Sequence, residues 1–188
     1  MPCALTTGFS NDCKDAIGGV KSIRFASLAN YTALNATVSA SGEITAIGSA
    51  STVFYKYGTI KETSMMNEPI VATTATGGLH YTPQVTIVIS RLSTAKRNEI
   101  RLLAKNKLVA IVELMQEEST GVSEYYAVGV SNGLELTEGA SGTGTAAADL
   151  NGYTLTFSGI EPAPMLKLQP SSGTVASMLS SITNPAGQ

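Results

Sequence analysis

No tryptophan occurs in the chain, which removes the flat indole platform on which carbohydrate-binding modules stack sugars. Histidine occurs once, as His80. No Ser-His-Asp set is therefore favoured over any other, and a lone histidine is more often structural than a general base. Cys3 and Cys13 are the only cysteines; two at that spacing do not make a disulfide framework and read as small buried thiols. With His80 they are three scattered ligands without metal-motif spacing, and Asn11, Asp12 and Asp15 lack the rest of a calcium loop. The longest apolar runs are about seven residues, and no apolar segment follows a basic start, so neither a transmembrane helix nor a signal peptide is expected. Folding in a cytoplasm follows from that reading, and the acceptor patterns Asn30-Tyr31-Thr32 and Asn35-Ala36-Thr37 then read as chance. Charge is scarce too, at 14% of 188 residues. A surface so poorly charged suits a subunit largely covered by copies of itself.

What is present is organised around residues 79–114, which read as strand, helix, strand. Gln84-Val-Thr-Ile-Val-Ile-Ser90 and Leu108-Val-Ala-Ile-Val-Glu-Leu114 are β-branched apolar runs suited to a core. Between them the period changes. Leu92, Ala95, Ile100, Leu103 and Ala104 fall on one stripe, with Lys96, Arg97, Arg101 and Lys105 around the rest, which predicts an amphipathic helix over Thr94–Asn106. Ser93 or Thr94 is the expected N-cap and Asn106 the stop.

Upstream, residues 1–19 read as an arm with the apolar anchors Leu5 and Phe9. Val20–Leu28 alternates as a first strand, with Ile23 and Phe25 on one face and Val20 and Leu28 on the other; residues 30–51 read as a meander rather than a helix. Thr52–Tyr57 is a strand by propensity. The segment Lys61–Tyr81, broken at Asn67-Glu68-Pro69 and Gly77-Gly78, predicts a long Thr-rich hairpin with no core of its own, ordered by pairing with other chains. Downstream, Glu124–Val130, the Asn132-Gly133 turn signal and Leu134–Thr137 predict a second hairpin, Gly139–Thr145 a flexible loop, and Tyr153–Ser158 a strand. Residues 160–188, rich in proline and serine, read as an extended arm in which Val175–Ile182 forms at most a turn or two of helix. The division expected is an N-terminal arm (1–19), a β-sandwich domain (20–160) and a C-terminal arm (161–188).

Chemistry-bearing patterns are thin. Glu117-Glu118 read as a solvated loop tip, and Gly139–Thr145 lacks the Gly-Lys-Ser/Thr ending of a phosphate loop. Lys96, Arg97, Arg101 and Lys105 on the helix lack interleaved aromatics for base stacking and read as a partner-facing basic surface. Charge is split along the chain. Up to Lys107 bases predominate, whereas from Leu108 onward Lys167 is the only base against Glu113, Glu117, Glu118, Glu124, Glu135, Glu138, Asp149 and Glu161. Complementary halves of that kind orient one copy against the next. No active site, cofactor or metal is expected, and the reading is of a structural protein rather than an enzyme.

The succession Pro83-Gln84-Val85-Thr86-Ile87, the helix Thr94–Lys105, the strand Leu108–Glu113, Gly129-Val-Ser-Asn-Gly-Leu134 and Asp149-Leu-Asn-Gly-Tyr-Thr-Leu-Thr-Phe-Ser-Gly159 resembles the tail tube (major tail) proteins of long-tailed bacteriophages. The resemblance spans about residues 50 to 160 and carries no diagnostic motif. It implies a mainly β fold, a two-sheet β-sandwich or partial barrel with one flanking helix, a long hairpin and extended terminal arms. Subunits would form homo-oligomeric, hexameric rings that stack into a hollow conduit for double-stranded DNA, in a virion tail assembled in the bacterial cytoplasm. Sheath, baseplate or head-tail connector proteins would be further partners, with no membrane involved. Met65, Met66, Ile70 and Val71 would then lie at subunit contacts, and Glu62, Glu68 and Glu124 are the acids expected to face the lumen, since a wall past which DNA slides should repel phosphate. The alternative is a capsid decoration or head-tail joining protein, which shares the sandwich and arms but binds a preformed shell.

Overall fold

The computed structural model describes residues 8–9, 16–48, 54–73, 75, 77–119, 122–180 and 182–184. Cys3, Cys13, Leu5 and the Asn11, Asp12, Asp15 cluster lie outside them. The elements, in order, are β1 (Val20–Ser27), α1 (Leu28–Ala33), β2 (Thr37–Val38), β3 (Glu43–Ala46), β4 (Phe54–Tyr57), β5 (Met65–Asn67), β6 (Ile70–Thr73), β7 (Gly78–Tyr81) and β8 (Gln84–Ser90). They continue with α2 (Thr94–Leu103), β9 (Leu108–Ser119), β10 (Val122–Val128), β11 (Glu135–Gly142), β12 (Gly152–Ser158), β13 (Leu166–Leu168), α3 (Val175–Ser180) and β14 (Thr183–Asn184).

The fold is mainly β, a sandwich of two sheets with α2 at its side. Sheet A has eight strands in the order β14-β4-β1-β9-β10-β13-β3-β2, and sheet B has four, β11-β12-β8-β5. A separate two-stranded sheet, β6-β7, stands apart from both. The apolar runs read from the sequence become the facing layers: Val85, Ile87 and Ile89 of sheet B and Ala110 and Val112 of sheet A are buried in one core with Phe25, Leu155 and Phe157. Aromatic packing fixes its centre, the Phe25 and Phe157 rings lying 4.8 Å apart between centroids. Because β8 and β9 belong to different sheets, α2 is the crossing between layers, and Leu103 plugs the core from its inner face. Ser93 caps it, its hydroxyl accepting from Lys96 N at 3.2 Å, and the Asn106 side chain donates to Leu102 O at 2.8 Å.

Alternation along β1 differs from expectation at its start. A register shift between Val20 and Ser22 turns Val20 to the same face as Ile23 and Phe25, so the strand begins with a bulge. Its other face, with Val109 and Ile111, builds a second core under two helices, of which α3 falls within the turn or two expected over Val175–Ile182 and α1 replaces the start of the expected meander. The first, α1, begins where Ser27 caps Asn30 N and buries Tyr31; the second, α3, buries Val175 and Leu179. The segment expected to extend away as a C-terminal arm therefore supplies two strands and a helix to the outer layer of sheet A, and Ile182 N–H closes onto Leu179 O. Six-residue helices carry too little period to be read with certainty from sequence, yet α1 buries Tyr31 and α3 buries Val175 and Leu179 once a sheet lies beneath.

Two other expectations change. Asn132-Gly133 is not a hairpin turn, because β10 lies in sheet A and β11 in sheet B. The chain crosses between layers there, with Gly129 at φ +75° and so close to Leu134 that a Cβ would stand 2.6 Å from its Cγ. Gly139–Gly142, read as loop, is the second half of β11, where a Cβ on Gly139 would crowd the Leu155 side chain at 3.3 Å.

Candidate functional site

Sheet B presents one face to the core and one outward. On β8 and β12 the positions on the face away from the Phe25 core are Gln84, Thr86, Val88, Thr154, Thr156 and Ser158, each in register with a partner of the same face, and Val88 and Thr156 among them are buried. The hydroxyls tie the strands together across that face: Thr86 and Thr156 Oγ1 are 3.2 Å apart, and Ser158 Oγ donates to Thr137 Oγ1 at 3.3 Å. Register on β11 places Glu135 opposite Ser158 and Glu138 opposite Thr156, so both carboxylates share this outward face. Met65 and Asn67 complete it on β5. None of the four strands contains Lys or Arg. The result is a polar wall whose own strands carry only negative formal charges, with Lys107 Nζ, from the segment before β9, 3.6 Å from Glu135 Oε1.

Both lateral edges of that wall are open among the described residues. On one side β11 pairs only with β12, and on the other β5 pairs only with β8. An unpaired edge offers a row of N–H and C=O groups to another strand. The two edges differ in sequence, so joining one to the other is a heterologous contact, the kind that closes into rings.

Beside β5 stands the β6–β7 hairpin. Within the 61–81 segment expected as one long hairpin, only Ile70–Tyr81 stands free; Met65–Asn67 instead joins sheet B, where Met66 packs against the core. Register puts Ile70, Ala72, Leu79 and Tyr81 on one face and Val71 and His80 on the other. Ile70 and Leu79 are 67% and 56% exposed, an apolar face left open among the described residues. Of the four contact residues expected, Met65 thus lies on the outward wall, Met66 against the core, and Ile70 and Val71 on opposite faces of the hairpin. Leu79, two residues before Tyr81 in the alternating strand, shares the Ile70 face.

The hairpin's root is fastened by two carboxylates. Glu68 accepts from Met165 N at 2.8 Å; burial first, and then the charge of Glu161, push its carboxyl above the ordinary range against that amide. Glu161 is 3% exposed, and its carboxylate accepts from three consecutive amides, Ser131 N at 3.0 Å, Asn132 N at 2.9 Å and Gly133 N at 3.1 Å. Its backbone exchanges two hydrogen bonds with Tyr81, and Thr82 N donates to Pro69 O at 2.9 Å to close the base.

The acids expected in the lumen do not share a surface. Glu62 is exposed in the loop before β5, at φ +61°, and pairs with Lys61 at 3.3 Å. Glu68 is at the hairpin root, and Glu124 on β10 forms an ion pair with Lys167 at 3.2 Å, with Glu118 on the other side of the same ammonium at 3.1 Å. Glu135 and Glu138, which the sequence reading does not single out, lie on one face of sheet B instead. Arg97 and Arg101 on α2 and Lys105 just past its end are exposed, whereas Lys96 turns back and its Nζ donates to Ser90 O.

A buried polar cluster occupies the outer face of sheet A. Glu113 receives the Ser22 hydroxyl at 2.6 Å, Lys21 at 3.2 Å and Arg24 at 3.3 Å, and the Arg24 guanidinium lies 5.4 Å from the Tyr125 ring centroid. Burial works to raise the Glu113 carboxyl, but Ser22, Lys21 and Arg24 together outweigh it and hold it below the ordinary range. Among the described residues no group of three or more His, Cys, Asp or Glu converges as a metal site, and no helix is long and apolar enough to cross a membrane. Comparison with protein-family models, with curated proteins and with solved structures finds no match for the chain.

Proposed function

We propose that this protein is a structural subunit of a viral tail tube, which self-assembles into rings that stack into a hollow conduit for double-stranded DNA. The observation that carries the reading is sheet B: a wall whose own strands hold no basic residue, bearing Glu135 and Glu138, and open at both edges. Joining the β11 edge of one copy to the β5 side of the next turns these sheets into a continuous ring with the hydroxyl-paved face inward. DNA then meets mainly hydroxyls and carboxylates, the Lys107 ammonium beside them being paired with Glu135. The free-standing hairpin, with Ile70 and Leu79 exposed, supplies apolar contact area between neighbours. The sequence resemblance to tail tube proteins points the same way.

Within this reading the protein is no enzyme and binds no cofactor. Its partners are its own copies, the DNA that passes without specific contact, and whatever sheath, baseplate or connector proteins meet the tube ends. It works in the virion tail after assembly in the host cytoplasm.

The hairpin separates this function from a decoration or joining role. Val71 and His80 are register partners, so replacing residues 72–79 by Asn-Gly closes a two-residue turn and leaves the root contacts of Glu68, Tyr81 and Glu161 in place. Such a variant should fold and fail to form rings. A shortened protein that assembles like the wild type contradicts the assignment.

A further inference from the structure

Two Asn-Gly pairs occur in the chain, Asn132-Gly133 and Asn151-Gly152. Asparagine is thermolabile, and most so before glycine, where no side chain hinders ring closure. The glycine nitrogen gives up its proton to hydroxide and attacks the asparagine Cγ; a C–N bond forms, Nδ2 leaves as ammonia, and a succinimide remains. Water then opens that ring to isoaspartate or aspartate. A larger second residue would slow the reaction, but the fold needs glycine at both places. Gly133 stands at φ +86°, where a Cβ would lie 3.0 Å from Lys107 Cβ, and a Cβ on Gly152 would run into Ile89 O.

The first pair is held by two consecutive residues of a distant segment. Asn132 Nδ2 donates to Ile160 O at 2.7 Å, which fixes the side-chain amide, while Asn132 N and Gly133 N both donate to Glu161 Oε1, at 2.9 and 3.1 Å. The attacking nitrogen is thus buried with its proton on a carboxylate. Removing that proton would create an amide anion 3.1 Å from a negative charge, which a low-dielectric surrounding makes costly. Asn132 itself is exposed, so water and hydroxide reach the pair once Gly133 N is freed. The second pair is restrained by other groups. Arg91 N donates to Asn151 O, Leu92 N donates to Asn151 Oδ1 at 3.4 Å, and Gly152 lies in register between Ser90 and Gly142.

We propose that Asn132 is a latent site of succinimide and isoaspartate formation, which the Glu161 carboxylate keeps unreactive in the folded chain. The site opens together with the hairpin root, because the same residue exchanges backbone hydrogen bonds with Tyr81. Reaction is then self-reinforcing. Aspartate or isoaspartate at position 132 sets a second carboxylate beside Glu161, and like charges keep the three amides from closing on it again. The pair is a one-way record of openings of that root. This inference goes beyond the tube reading and does not draw on it, since every group involved belongs to one copy.

The test holds the full-length wild type and Glu161→Gln in mildly alkaline buffer and follows the peptides containing positions 132 and 151 by mass spectrometry, with isoaspartyl methyltransferase labelling to identify the product. In the folded wild type Asn132 should react far more slowly than in the same chain unfolded in urea. Glu161→Gln removes the charge and one acceptor, so the rate at 132 should rise about tenfold or more while that at 151 stays within about twofold of wild type. Asn132 reacting as fast folded as unfolded, a rate at 132 unchanged in the folded variant, or an equal rise at both sites overturns the proposal. Should the variant not fold, wild type in urea below its unfolding transition supplies the comparison. Reaction at 132 rising before that at 151 is expected there, and a simultaneous rise overturns the proposal.

Discussion

Tyr81 and Glu161 exchange both backbone hydrogen bonds, Tyr81 N donating to Glu161 O at 2.9 Å and Glu161 N donating to Tyr81 O at 2.8 Å. The same glutamate spends its carboxylate on the amides of Ser131, Asn132 and Gly133. One residue thus joins the root of the free-standing hairpin to the crossing between the two sheets. In Glu161→Gln one carboxylate oxygen becomes an NH₂ facing amide donors, so at least one buried amide loses its acceptor. A loss of about 2–3 kcal/mol in urea unfolding is expected, with increased hydrogen exchange at Gly133 and Tyr81. Exchange unchanged at both sites would show that the clamp does not hold the root.

Glu113 and Arg24 form a buried pair, their side chains only 7% and 10% exposed. Removing one partner strands the other, so Glu113→Ala should destabilise by about 3–5 kcal/mol, whereas the double change Arg24→Met, Glu113→Leu should cost much less and can be neutral. Denaturant unfolding of the single and double variants decides the matter. Equal losses in both would mean that the cluster stabilises through packing rather than through charge.

Glu113 and Glu68 should move stability with pH in opposite directions. The folded-state value of Glu113 is depressed, so its contribution is complete above the unfolded carboxyl value of about 4.3 and is lost as pH falls from there through the depressed value. Glu113→Gln should flatten that acid limb. Glu68 is raised by burial and by Glu161, so its ionisation removes stability as pH rises from the unfolded value through the raised one. Glu68→Gln keeps an oxygen for Met165 N and should raise Tm at pH 7 relative to pH 4. Thermal unfolding across this range measures both signs.

Much of this fold is legible in the sequence, and the unread parts have physical causes. The β8 and β9 runs, α2 with its Ser93 cap and the β12 alternation all carry a period long enough to fix their state alone. The six-residue α1 helix takes its stability from the sheet beneath it, which local pattern cannot display, whereas α3 lies within the turn or two of helix expected over Val175–Ile182. Asn132-Gly133 has the composition of a hairpin turn, yet a carboxylate 28 residues downstream holds its amides. The candidate wall was hidden for a related reason. Glu135 and Glu138 share a face only because β11 bulges between Leu136 and Glu138, whereas strict alternation puts them on opposite sides.

That wall should be sensitive to charge of the wrong sign. Glu135 and Glu138 are exposed, so Glu138→Lys should fold with Tm changed little, within about 0.5 kcal/mol of wild type. Assemblies of Glu138→Lys should retain double-stranded DNA at low salt and release it as salt is raised, while wild-type assemblies should not retain it. Equal retention by both would remove sheet B from the inner wall.

The measurement that bears most directly on the central claim is electron microscopy of the full-length protein across a concentration series. Hollow rods or stacked rings, with a bore lined by β8 and β12 in averaged images, are the expected result. A protein that stays monomeric at every concentration, or that assembles with sheet B on the outside, contradicts the tube.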